Sequence, residues 1–146
     1  MVEHLLTIFQ SPTNDWWIAY NGDLLGYYPA SLFTMLNKGA CVSAWYGEIA
    51  RVQLTANPGW VMTEMGSGEF ADAGLLYAAH VRDPKYYDLT WAPVTPTEDP
   101  PFSKAMTPNK PLCYSRSKLT YIAAPWDSMF LFLGGPGGKN PGCTWP

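Results

Sequence analysis

Hydrophobic and polar residues alternate along this chain in short blocks separated by turn-forming residues. Leu5 to Gln10 is a short apolar run, closed by Ser11-Pro12-Thr13-Asn14-Asp15, a turn signal. Trp16 to Tyr20 reads as an aromatic strand, and Asn21-Gly22-Asp23 as the hairpin turn after it. Leu24 to Tyr28 then returns antiparallel until Pro29 ends it. From Pro29 to Asn37 the period changes. Leu32, Phe33, Met35 and Leu36 form a helical stripe, with Pro29 suited to the first turn and Gly39 to the cap. The expectation is one helix of about two turns, too short to stand without packing on a sheet.

The longest predicted strand runs from Cys41 to Leu54. A period of two places Val42, Ala44, Tyr46 and Glu48 on one face and Ser43, Trp45, Gly47 and Ile49 on the other. Asn57-Pro58-Gly59 turns the chain, and Trp60 to Met65 reads as the returning strand. Gly66 and Gly68 then mark a bulge or a close approach of backbones. Leu75 to Arg82 and Met129 to Leu133 read as strands, and Asp83 to Trp91 as an irregular one. Cys113 to Ser117 and Thr120 to Ala123 read as short edge strands. Val94 to Lys110, rich in Pro, Thr, Asp and Glu, reads as a long surface loop. The glycine-rich tail from Gly134 is expected to lack regular structure. There is no repeat and no linker between two cores. Many short strands and one short helix predict an all-β fold, an antiparallel β-sandwich, in a single domain over residues 1–146.

Composition narrows the function classes. Charged residues make up 14% of the chain, against about 25% in an average domain, while aromatics reach 15%. That balance favours broad buried faces with polar tips in a cleft. A net charge of −3 supplies no basic footprint for nucleic acid. No apolar run approaches the roughly 18 to 20 residues of a membrane helix. The start, MVEHLLTIFQ, has no basic region before its apolar residues and no cleavage pattern, so no secretory signal is visible. His4 and His80 are far apart, and Cys41, Cys113 and Cys143 lack metal-ligand spacing, so neither a metal site nor a cofactor is expected. Cys41 is expected to be a small buried residue. Composition leaves open whether Cys113 and Cys143 close a disulfide or remain thiols.

Glu48 is the residue that most needs explanation. An ionised carboxylate in an apolar strand is costly unless paired, hydrogen-bonded or protonated. The alternatives are a solvated edge acid, a salt bridge to Arg51, or a cleft acid. Ser67 lies between glycines but lacks the strand–turn–helix context of a serine nucleophile.

Six motifs occur in order: WW at Trp16, GYYPASLF, AWYGEI, TEMGSGEF, CY at Cys113, and GGPGGKNPGC. Together they resemble the C-terminal part of the neprosin domain, from about Trp16 to Cys143. That family comprises plant and microbial glutamic peptidases, first known for cleaving after proline. The resemblance implies a sandwich of two large antiparallel sheets with a cleft across one concave face. It also implies two cleft glutamates that activate water against a peptide carbonyl. One of them belongs to a strand with a pattern close to WGGE, and Trp45-Tyr46-Gly47-Glu48 places Glu48 there. Tyr46 replaces the first glycine of that pair and shares the Glu48 face, where it is a candidate substrate contact. Gly66 and Ser67 are further candidates, from the stretch matching the family's MGSG; Glu69 stands where many members have His. Cys113 and Cys143 match a pair that is disulfide-bonded in the family.

The family's other glutamate precedes the WW motif. Here the only acids before Trp16 are Glu3 and Asp15, and neither sits in the expected motif. Two-carboxylate hydrolysis needs one ionised group to take a proton from water and one protonated group to donate. Glu64 and Glu69 are the fallback second acids. The expected function is a secreted neprosin-like peptidase module with an acid optimum, acting on a peptide or protein substrate. The alternatives are an inactive β-sandwich binding remnant, or half of a split enzyme completed by self-association or a partner chain.

Overall fold

The computed structural model describes residues 2–49, 63–97 and 111–139. The chain is all-β, with antiparallel sheets and, among the described residues, no long helix. It divides into two compact units, Met1–Ala44 and Trp45–Pro146.

The first unit is a meander of β1 (Leu6–Gln10), β2 (Trp16–Tyr20) and β3 (Asp23–Tyr28), close to the predicted bounds. Local turn chemistry sets its register. Asn21 and Gly22 both have positive φ, +49° and +93°, which suits the tight two-residue hairpin between β2 and β3. Ser11 donates its N–H to the Asp15 carbonyl, and the Asp15 carboxylate accepts from Thr13 Oγ1 (2.7 Å) and the Ala30 N–H (2.9 Å). Those bonds hold the Asp15 carboxyl below its ordinary pKa, the Thr13 bond first. Between β2 and β3 the register shifts at Ile18/Ala19, leaving Leu25 as the extra residue of a bulge.

The predicted helix at Pro29–Asn37 does not form. Two separate 3₁₀ turns, Ala30–Leu32 and Leu36–Lys38, stand there with extended Phe33 after the first. Carbonyls at the end of the segment are taken by side chains from the sheet instead. Gln10 Nε2 donates to Leu36 and Asn37, and Trp16 Nε1 to Leu36 at 2.8 Å. An isolated two-turn helix has too few bonds to offset its nucleation cost against such competitors.

The second unit is built on β9 (Ser128–Gly134), whose residues are almost all buried. On one side it pairs with β4 (Ala79–Arg82). On the other it pairs with β7 (Ser115–Arg116) and β8 (Thr120–Ile122) at successive positions. A separate two-stranded ribbon joins β5 (Tyr86–Tyr87) to β6 (Pro93–Val94). The core lies on one face of β9. Phe130 and Phe132 stack at 5.7 Å, joined by Ala71 and Ala78, with Leu75, Ile122 and Trp126 against them. His80 packs its ring on Phe130 at 5.4 Å, which makes it a structural residue. Arg82 lies over Phe130 and Trp126 and donates to Ser128 Oγ (3.0 Å) and the Trp126 carbonyl (3.2 Å).

Other expectations change in detail. Of the strand predicted from Leu75 to Arg82, only Ala79–Arg82 forms. Before it, the Tyr77 and Ala78 N–H groups both donate to the Gly74 carbonyl in a turn. Of the strand predicted from Cys41 to Leu54, residues 41–49 join no ladder among the described residues, and residues 50–54 lie outside them. Cys41 is exposed rather than buried, being in that unpaired segment. Residues 134–139 of the tail are more ordered than their glycines suggest. Gly134 ends β9, and Gly137–Lys139 forms a 3₁₀ turn. The returning strand at Trp60 to Met65 and the loop at Val94 to Lys110 fall largely outside the described residues.

Candidate active site

Four of the six sequence motifs meet around one turn in the second unit. The turn is Met65–Gly68, closed by the Gly68 N–H on the Met65 carbonyl (3.2 Å). Gly66 and Gly68 have φ of +63° and +85°, a region that favours glycine. A Cβ on Gly66 would stand 2.6 Å from the Ala79 Cβ, so the turn also rests tightly against the start of β4. The Met65 N–H donates to the Gly135 carbonyl at 3.0 Å. Gly134 passes against the Glu69 carbonyl, and Gly135 against the Cys113 carbonyl and Tyr114 Cα. The backbones meet here too closely for side chains, and that is the use of the late glycines. Tyr114 reaches across to donate its hydroxyl to the Thr63 carbonyl at 2.8 Å. Partial burial there raises its phenol pKa.

The AWYGEI segment joins this cluster through Gly47. A Cβ on Gly47 would lie 2.5 Å from Met65 Sδ, so the Met65 thioether occupies the space a side chain would need. Glu48 follows directly. It is exposed, and among the described residues it makes no hydrogen bond or ion pair. Tyr46, two residues before it in sequence, is 66% exposed, and Trp45 is half-buried. Arg51, the alternative partner of Glu48, lies outside the described residues.

The other candidates divide by role. Ser67 donates its hydroxyl to the Tyr77 carbonyl and accepts the Glu69 N–H at 3.3 Å. Its oxygen is therefore committed to holding the turn. Glu64 lies with its carboxylate over the α-carbon of Gly68, since a Cβ there would be 2.9 Å from Cδ. Glu69 is exposed, and its carbonyl backs Gly134. Cys113 is buried, at 1% exposed, whereas Cys41 is a free, exposed cysteine. Cys143 lies outside the described residues.

Over residues 1–136 the chain matches the family profile described as Neprosin. The chain belongs to the neprosin family. No solved structure matches it. Membership of the neprosin family accounts for the order of the motifs, and the geometry shows what several of them do locally. The paired glycines bring chain segments together, and the tyrosine after Cys113 ties the turn from outside.

One feature of this neprosin-family chain had no sequence signal. An open cavity of about 310 Å³ is lined by Phe70, Asp72, Ser115, Arg116 and Ser117. Ser115 Oγ accepts the Ala71 N–H there at 2.7 Å, and Arg116 donates to the Ser117 carbonyl at 2.8 Å. Its lining combines one carboxylate, one guanidinium, hydroxyls and an aromatic ring. Only Phe70, the last residue of the TEMGSGEF motif, had been singled out from sequence, and none of the candidate site residues lies in it. Its members come from segments about 45 residues apart, joined by the Ala71–Ser115 hydrogen bond and by contact of both with β9.

Proposed function

We propose that this chain is a secreted neprosin-like glutamic peptidase module that hydrolyses peptide bonds after proline in acid. Glu48 is one of its two catalytic acids, and the other is not supplied by this sequence. The cleft lies across a two-sheet sandwich, as the family resemblance implies. Glu48 takes a proton from water as the water attacks the peptide carbonyl, and the protonated partner donates to the carbonyl oxygen or the leaving nitrogen. Tyr46 offers its ring to the substrate, and Gly66 and Ser67 offer the backbone of the turn. A proline ring is rigid and apolar, so it docks on an aromatic side chain at low entropic cost. Cys113 pairs with Cys143, a reading supported by the family resemblance and by the burial of Cys113.

The observation that carries this reading is the position of Glu48. In a chain of this family, it is an exposed acid directly after a glycine packed on the Met65–Gly68 turn. The test is hydrolysis of a proline-containing peptide by the purified chain from pH 3 to pH 7. Activity lost in Glu48→Gln supports the reading, and activity that persists in that variant ends the assignment.

A second reading is half of a split enzyme. Hydrolysis that appears only when a second polypeptide is added would select it. No hydrolysis under either condition, from a cooperatively folded chain, would identify an inactive binding protein.

A further inference from the structure

The outer edge of β1 has a feature independent of the catalytic reading. The bonds flanking the strand fix which of its residues face β2. Asn21 donates its N–H to the Leu5 carbonyl, and Ser11 donates its N–H to the Asp15 carbonyl. In an antiparallel ladder this parity turns Thr7 and Phe9 toward β2 and leaves the amides and carbonyls of Leu6, Ile8 and Gln10 pointing outward. Among the described residues β1 is the edge of its sheet, and the backbone groups of these three residues that point outward make no bond there. Leu6 and Ile8 are 61% and 59% exposed.

Protein edge strands are normally protected by charge, proline or a bulge. β3, the opposite edge, has such protection. It carries a bulge at Leu25, starts at Asp23 and is followed by Pro29. β1 reads Leu-Thr-Ile-Phe-Gln, with no charge, no proline and no bulge. The sequence is also self-complementary. If two copies of β1 run antiparallel with Ile8 opposite Ile8, Leu6 faces Gln10 and Thr7 faces Phe9. All three outward residues then fall in hydrogen-bonded pairs, and no like charges oppose one another. The Gln10 side chain does not compete for this edge, since its amide is held by the carbonyls of Asn14, Leu36 and Asn37.

We propose that two copies of this chain associate through antiparallel pairing of β1 with β1 about a twofold axis at Ile8, giving a continuous six-stranded sheet. The interface is isologous, so it closes at the dimer and leaves each β3 with its bulge as the new outer edge.

Sedimentation velocity of the full chain over a range of concentrations tests this, alongside amide hydrogen exchange of the wild type. Reversible dimerisation is expected, with the Leu6, Ile8 and Gln10 amides becoming protected as the dimer fills. Ile8→Lys places two introduced cations opposite each other and is expected to raise the dimer dissociation constant by about tenfold or more. Leu25→Lys on the opposite edge, where Leu25 is 67% exposed, is expected to leave it unchanged. A monomer at every concentration overturns the proposal. So does a dimer indifferent to Ile8→Lys, one equally weakened by Leu25→Lys, or one whose formation leaves the β1 amides unprotected. The exchange measurement uses no variant, so it decides the matter even if Ile8→Lys fails to fold.

Discussion

Met65 fills the space where Gly47 has no side chain, with Sδ 2.5 Å and Cε 2.8 Å from where a Cβ would stand. This contact joins the segment carrying Glu48 to the glycine turn, and it limits residue 47 to glycine unless Met65 moves. The Met65 side chain is unbranched and adaptable, so Gly47→Ala should displace it at a moderate cost of about 1–2 kcal/mol. Gly66→Ala should cost more, about 2–4 kcal/mol, because the obstacle is Ala79 beside the β4 backbone and φ is +63°. Urea unfolding of the two variants checks the order. Equal losses would mean that Met65 is held as rigidly as the strand.

Glu48→Gln separates fold from function. The residue is exposed and makes no bond among the described residues, so its replacement should change stability by less than about 0.5 kcal/mol. The same change should remove most of any peptide hydrolysis, by about a hundredfold or more for a lost general acid–base group. Parallel loss of stability and activity would show that Glu48 acts through the fold instead.

The first meander was legible almost to the residue. Its turns carry local chemistry that sequence displays directly: Asn21-Gly22 for the hairpin, and Ser11 to Asp15 for the loop before it. β9 was equally clear as a compact apolar run. The helix was misread because Leu32, Phe33, Met35 and Leu36 make a helical stripe, while the competing donors, Gln10 and Trp16, are distant in sequence. The same limit applies to the site. Gly66 and Gly68 announced a close approach, but nothing local told that the approach is to Ala79, or that Gly134 and Gly135 serve the same cluster. The cavity lined by Phe70 and Arg116 was invisible for that reason.

Phe130 is the residue on which the second unit most depends. It is fully buried, stacked on Phe132 and covered by His80, Trp126 and Arg82. Phe130→Ala should destabilise by about 3–5 kcal/mol, since strands on both sides of β9 limit collapse of the cavity. Thr7→Ala, on the separate first sheet, should cost less than about 1 kcal/mol. Denaturant midpoints of the two variants provide the comparison, and similar losses would contradict a core centred on Phe130.

The proposed activity in acid requires turns that stay intact there, and Asp88 is placed to keep one. Its Oδ1 accepts from Thr90 Oγ1 (2.6 Å), the Thr90 N–H (2.8 Å) and the Ala92 N–H (3.1 Å), holding the loop between β5 and β6. The Thr90 side-chain bond is the chief cause of an Asp88 pKa below the ordinary 3.8, followed by the two backbone bonds. A depressed folded-state pKa means that the stabilisation is fully present above the unfolded value, about 3.9, and is lost as pH falls through the lower folded value. The loop should therefore persist through mildly acid conditions and loosen only below about pH 4. An NMR titration of the Thr90 amide should show a midpoint below 3.8 in the wild type and no such transition in Asp88→Asn. A midpoint at or above 3.8 would mean that the three bonds do not favour the ionised carboxylate. The loop would then begin to lose its anchor at the pH where a two-carboxylate peptidase is expected to act.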